Sequence, residues 1–292
     1  MIAPFFIVAS ARSGTTFLRL TLNAHPQVAV PPESRFITEL SPGAATIGRD
    51  DFLQQLAAHK RFKTWGLPID AVAAEIGERA DLAYTDAIRC TYVAYAKRDG
   101  KSSWGEKTPR YIENIPMLAG MFPDARFIHI VRDGRDVALS YAHVDFGPRT
   151  VAKAAQLWSR RVAAGIRDGR PLGPQRYIEI RNEDLANDTE AEVTKICSFL
   201  GIEADPAMFD EKARARGIVE KSKHNFDPAA GGRKRMSDWR TEMRPRDIEV
   251  VETVAGDVLS QVGYERRYPQ PGPRARLEAK LALLGLPLGR IK

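Results

Sequence analysis

The 292-residue sequence predicts an α/β fold in three layers, a central parallel sheet flanked by helices. Three observations carry that expectation. Phe5-Phe6-Ile7-Val8-Ala9 is a continuous apolar run, as in a strand buried on both faces of a parallel sheet. Two comparable runs, Phe127-Ile128-His129-Ile130-Val131 and Tyr177-Ile178-Glu179-Ile180, follow downstream. Each run leads through a polar turn into a helical pattern, the repeat that joins parallel strands by crossover helices. The length is ample for a sizeable core.

After the first strand, the turn Ser10–Gly14 opens a helix over Thr15 to Ala24. Phe17, Leu20, Leu22 and Ala24 lie there at helical spacing, and His25-Pro26 stops it. Val28-Ala29-Val30 is a short apolar stretch ahead of Pro31-Pro32-Glu33. Residues 42–100 read as helical with Gly and Pro punctuation, and Arg98–Ser103 reads as a polar loop. A helical, substrate-covering insertion is therefore expected over residues 36–100. The second strand runs into Arg132-Asp133-Gly134-Arg135 and a helix from about Asp136; the third precedes a helix ending at Phe199-Leu200-Gly201. Ala213 to Arg246 is polar, basic and Gly-containing, as in a long loop that is ordered or closed by a ligand, and Pro245 to Val262 returns to helical periodicity. One domain over residues 1–268 is expected, followed by a basic amphipathic tail over 269–292. The Arg274–Leu284 stretch suits a helix packed on the domain, with peripheral contact to a membrane or a partner as the other reading.

The net charge of +7 favours an anionic ligand, a nucleic acid or an acidic surface. No helix-turn-helix, zinc finger or aromatic–basic RNA motif is visible, so a nucleic-acid partner is not expected. Cys90 and Cys197 have neither CxxC nor metal-ligand spacing and read as reduced thiols. The five histidines show no HxxxH pair, and no metal is expected. Ile2–Ala9 is too short for a signal segment and no stretch could span a bilayer, which predicts a cytoplasmic protein.

A buried strand, then Ala9-Ser10-Ala11-Arg12-Ser13-Gly14-Thr15-Thr16, then a helix is the geometry of a phosphate-binding loop. Backbone N–H groups at such a turn converge on an anion at the helix N-terminus. Against GxxxxGK[ST], Ala9 replaces the first glycine and Thr15 the lysine. Without the lysine that reaches a β,γ-phosphate, a kinase or other phosphoryl-transfer enzyme becomes the alternative reading. Arg12 instead places a guanidinium in the loop, and Ser13, Thr15 and Thr16 add hydroxyls, a set that suits one terminal phosphate. The simplest competing account is that Ser-Gly-Thr-Thr only caps a helix.

FFIVASARSGTTFLRLTLNAHPQV resembles the first donor-binding motif of the sulfotransferases that use the nucleotide PAPS, and FIHIVRDGRDVALSYAHV resembles their second. The two stand in the family's order. The resemblance implies a P-loop-type three-layer fold, PAPS as donor and PAP as product. It assigns Arg12, Ser13, Gly14, Thr15 and Thr16 to the 5′-phosphosulfate, and Arg132 and Ser140 to the 3′-phosphate. Arg132 follows a strand's carboxyl end, where open α/β sheets bind ligands, and Ser140 lies about two helical turns further on. Arg135 and Asp136 suit local ion pairs of a charged turn.

Many cytosolic members place a histidine base shortly after a catalytic lysine. The matching segment, Gly105-Glu106-Lys107-Thr108-Pro109, has none, and His129 and His143 read as core or surface residues. HPQVAVPPESRF instead resembles the segment of protein-tyrosine sulfotransferases in which a glutamate and an arginine two residues on line the active site. That implies Glu33 as general base and Arg35 as a substrate contact. Lys107 resembles the lysine that meets charge on the leaving oxygen, with Glu106 orienting it. The Arg233-Lys234-Arg235-Met236-Ser237-Asp238-Trp239 segment resembles the basic–Trp region that closes over the donor. Arg235 is thereby expected at the 3′-phosphate, and Trp239 either on the adenine or anchored in the core. Asn182 stands where many members carry an adenine-contacting tyrosine. The acceptor is expected to be a hydroxyl, recognised by residues 36–100, with 144–175 as a second candidate segment.

Overall fold

The computed structural model describes residues 2–142, 144, 146–215 and 238–285. Five strands form one parallel sheet: β1 (Phe5–Ala9), β2 (Val28–Ala29), β5 (Ser103–Lys107), β6 (Arg126–Val131) and β7 (Tyr177–Arg181), in the spatial order β2-β5-β1-β6-β7. β3 (Thr46–Gly48) and β4 (Asp81–Ala83) make a separate antiparallel pair.

β1 is central, and all five of its residues are buried. Phe6 and Val8 face a core that includes Tyr92, Trp104 and Phe127. Phe5, Ile7 and Ala9 face the opposite one, with Leu18, Leu22, Ile128 and Ile130. The alternation explains the uninterrupted apolar run, because each face of the sheet carries a helical layer. The first turn leads into α1 (Thr15–Ala24), which ends at His25 as expected.

β5 is a departure from the sequence reading, which had only a polar loop reaching Ser103. Ser-Trp-Gly-Glu-Lys has no β-pattern, yet the strand lies between β2 and β1 with all five residues buried. Neighbours remote in sequence make it a strand. The Phe5 ring fills the space where a Cβ of residue 105 would stand, so only glycine fits. The buried Glu106 carboxyl accepts a hydrogen bond from the Tyr92 hydroxyl, and burial pushes its pKa up to about 7.

The 36–100 segment contains α2 (Arg49–Ala58), α3 (Ile69–Ile76) and α4 (Tyr84–Arg98), together with the β3–β4 pair that the helical reading omitted. Each of those strands is three residues long, too short to leave a periodic trace. Phe36, Phe52, Leu56, Trp65, Val72 and Tyr92 join this segment to the core beside β1.

α5 (Gly134–Tyr141) begins two residues before the expected Asp136, because Asp133 caps it: the Asp133 carboxylate accepts from Arg135 N at 2.9 Å. Gly134 fits against the Trp158 ring, which would stand 2.8 Å from a Cβ. α6 (Val151–Gly169), α7 (Asn182–Asn187), α8 (Thr189–Leu200), α9 (Pro245–Gln261) and α10 (Pro273–Leu283) follow. α10 buries Ala275, Ala279 and Ala282 in the core that α5, α6 and α9 share. Both cysteines are free thiols, and no helix of the described residues is long and apolar enough to cross a membrane.

Candidate active site

The carboxyl ends of β1, β2, β5 and β6 open on one side of the sheet, where strand order reverses about β1. β1 delivers the 10–14 turn, β6 delivers Arg132, β5 ends on Lys107, and the chain leaving β2 reaches Glu33.

The turn has the conformation of an anion cradle. Gly14 occupies the N-cap of α1 at φ +82, with no side chain capping the helix among the described residues and no acidic residue in the first turn. The helix-cap account therefore fails, and the positive end of α1 is left for an anion. The Asn182 amide sits where a Gly14 Cβ would be, so Asn182 packs against the turn itself. Arg12 also holds positive φ, at 73°, a strained conformation for a side-chain-bearing residue. Its Nε donates to Ser140 Oγ at 3.0 Å, and its carbonyl accepts from Arg132 Nη1 at 3.1 Å. Burial, then the adjacent Arg132 charge, lowers the Arg12 pKa. Two guanidiniums held together call for a polyanion between or beside them. The Ser10 and Ser13 hydroxyls are buried with no hydrogen-bond partner among the described residues, an unmet demand that phosphate oxygens would satisfy. Thr15 is buried and Thr16 half-buried at the head of α1.

On the other side of β1, Lys107 Nζ donates to Glu33 Oε1 at 2.9 Å. Sheet register explains the meeting: Ala29 lies opposite Trp104, so each strand needs only three or four more residues to reach the pair. Burial alone would raise the Glu33 pKa, but Lys107, with Arg61 and Arg35, outweighs it and holds the carboxyl below its usual value. Lys107 is pushed down by burial and by Arg19, with Glu33 opposing. The loop around Glu33 is pinned on both sides. Pro32 C=O accepts from Trp65 Nε1 at 2.9 Å, and Ser34 N donates to Thr108 Oγ1 at 3.1 Å. Arg35 adopts φ +55 and its Nε is buried without a hydrogen-bond partner among the described residues.

Glu106 does not orient Lys107 through a hydrogen bond; Glu33 does, and Glu106 bonds Tyr92 instead. Trp239 is anchored at the start of α5. Its N donates to Asp136 Oδ1 at 2.8 Å, its Nε1 donates to Asp133 Oδ2 at 3.0 Å, and the Arg135 guanidinium stands 3.7 Å from its ring centroid. Those contacts support the core-anchor reading and leave 5% of the residue exposed. Arg135 makes the local ion pair expected of a charged turn, with Asp133 at 2.7 Å, and a second with the distant Glu252. Asp136 makes no ion pair among the described residues; it accepts from Trp239 N instead, and burial pushes its pKa up to about 7. Trp158 Nε1 donates to Arg132 C=O at 2.9 Å and fixes the backbone behind that guanidinium. His129 is fully buried with Nδ1 2.6 Å from Tyr177 Oη, and burial pushes its pKa down to about 4. Arg235 and His143 lie outside the described residues. No cluster of His, Cys, Asp and Glu among the described residues is placed to share a metal ion.

Two cations escaped the sequence reading. Arg19 is buried on α1, donates to Val30 C=O at 3.1 Å, and acts on both Glu33 and Lys107. A charged residue between Leu18 and Leu20 was the available signal. Arg61, in the 36–100 segment, acts on Glu33 through its charge and left no such signal.

The Sulfotransferase family profile matches residues 4–206. Nodulation protein NoeE of Sinorhizobium fredii is 25% identical over 89% of this chain and 66% of its own length. The protein-tyrosine sulfotransferase of Drosophila melanogaster is 23% identical over 89% of this chain and 51% of its own. The chain thus spans a half to two-thirds of these curated relatives. The sulfotransferase domain of the Synechococcus PCC 7002 olefin synthase superposes with a TM-score of 0.65 at 23% identity, covering 90% of this chain and 96% of that one, a shared P-loop-like fold. A sequence match across more than half the chain and a common fold around the anion cradle lead to one conclusion: this chain belongs to the sulfotransferase family.

Proposed function

We propose that the chain transfers the sulfuryl group of PAPS to a hydroxyl of an acceptor, by in-line displacement with Glu33 as general base, and releases PAP. The observation that carries this reading is the pairing of Glu33 with Lys107, 2.9 Å apart, beside the cradle formed by residues 10–16. Arg12, Ser13 and the N–H groups from Gly14 to Thr16 hold the 5′-phosphosulfate, while Arg132 and Ser140 take the 3′-phosphate. When bound, PAPS supplies the activated S–O bond, whose electron pair departs with the 5′-phosphate oxygen.

Glu33 accepts the acceptor's hydroxyl proton while the new O–S bond forms, since a carboxylate held below its usual pKa cannot remove that proton beforehand. Lys107 serves two anions in turn. Paired with Glu33 at rest, it turns to the leaving oxygen, and the carboxylate then loses the partner that keeps it weakly basic. Arg12 shares the charge developing on the phosphate. Arg35, next to Glu33, contacts the acceptor, and Trp239 supports the Arg132 turn from behind.

Calorimetric titration with PAP, with and without EDTA and against ADP, tests the donor assignment. Metal-independent binding that prefers PAP is expected; a magnesium-dependent preference for ADP or ATP would replace this reading with phosphoryl transfer.

A further inference from the structure

We propose that the outer face of α10 is a docking surface for an anionic phospholipid bilayer. Among the described residues, three large hydrophobic side chains stand mostly in solvent, and two of them, Leu277 (58% exposed) and Leu284 (69%), belong to this helix or its C-cap. Seven residues apart, they fall on nearly the same side of a helix of about 3.6 residues per turn. The buried residues Ala275, Ala279 and Ala282 lie on the opposite side, against α6 and α9. Small residues therefore face the protein and larger ones face out, the reverse of a helix whose apolar stripe serves only the core.

Charge selects the partner. Arg274, Arg276 and Lys280 are exposed on the same outward half of the helix, and none has an ion pair among the described residues. Glu278, the one acid between Pro273 and Leu283, turns back to Arg246 Nε at 2.8 Å and is neutralised there. Lys153 of α6 extends the basic edge, its Nζ lying 3.9 Å from where a Gly285 Cβ would be. Two leucines ringed by unpaired cations match an interface of acyl chains under anionic headgroups: the leucines enter the boundary region while the cations stay with the phosphates. A protein groove would cover the leucines but leaves four cations to be answered by acids, and a nucleic acid would answer the cations and leave the leucines wet.

Sedimentation of the full chain with vesicles tests this, using phosphatidylcholine alone against a mixture containing roughly one-third phosphatidylglycerol. Binding is expected only to the anionic vesicles and should weaken with added salt. Leu277→Ser with Leu284→Ser should cost about tenfold or more in affinity. Each of Arg274→Gln, Arg276→Gln and Lys280→Gln should cost about fivefold. All five positions are exposed, and matching melting curves by circular dichroism confirm that the variants fold. Unchanged binding by the leucine variant overturns the proposal, as does equal binding to phosphatidylcholine. No vesicle binding, or retention of random-sequence duplex DNA through the same cations but independent of the leucines, overturns it too.

Discussion

Replacing Glu33 with glutamine keeps the shape of the side chain and removes its charge and its basicity. The amide oxygen can still accept from Lys107 Nζ, which stands 2.9 Å from the native carboxylate. Lys107 is already lowered by burial and by Arg19, and in the variant it loses the carboxylate that opposes them. A positioned general base contributes about 10²–10⁴-fold to rate, which is about 3–5 kcal/mol of barrier. Single-turnover transfer from labelled PAPS, to an acceptor found by screening, should therefore slow by that factor. PAP affinity, measured in parallel by calorimetry, should stay within about threefold, because the carboxylate itself does not hold the donor. Turnover within about threefold of the parent would remove Glu33 from the base role. A loss of PAP affinity as large as the loss of rate would instead make Glu33 part of the donor site.

Arg132→Ala should weaken PAP by about 10–100-fold, the worth of a charged hydrogen bond. An analogue without the 3′-phosphate should lose less, though not nothing, since Arg132 also braces the Arg12 carbonyl; equal losses would contradict the 3′-phosphate assignment. The acid limb of kcat/KM should lie below the usual carboxylate range, because Lys107, Arg61 and Arg35 overcome the upward push of burial on Glu33. In Lys107→Met that push prevails, and the limb of the residual activity should move up by about 1–3 pH units. Glu252→Ala leaves the buried Arg135 guanidinium with Asp133 as its one remaining carboxylate partner among the described residues, and removes the acceptor for Arg267 N and Tyr268 N. The orphaned N–H groups and the halved charge pairing should cost about 2–4 kcal/mol in urea unfolding, and less than about 1 kcal/mol would show the network to be dispensable.

β1, β6 and β7 were legible because a strand buried on both faces must be apolar throughout, which is a property of the chain alone. The 10–16 turn was legible for a similar reason, since glycine at positive φ between a strand and a helix leaves a local signature. Glu33, Lys107, Arg12 and Arg132 could be named from motif resemblance, but the residues themselves say nothing about who touches whom.

β5 was illegible because it is polar by composition and a strand by environment. Phe5 dictates Gly105, and Tyr92 makes the burial of Glu106 tolerable. The β3–β4 pair was too short to show a period. For Trp239 the sequence left a choice between ligand and core, and Asp133, Asp136 and Arg135 tipped it toward the core. By itself, then, the sequence determined the strand–turn–helix order, the tight glycine turn between β1 and α1, and the family. Tertiary structure alone decided that Lys107 rests on Glu33, that Arg12 and Arg132 share one pole of the site, and that Arg19 and Arg61 act on the pair. The physical reason is range: periodicity and turn chemistry act over a few residues, while electrostatic pairing depends on sheet register between segments some 70 to 130 residues apart.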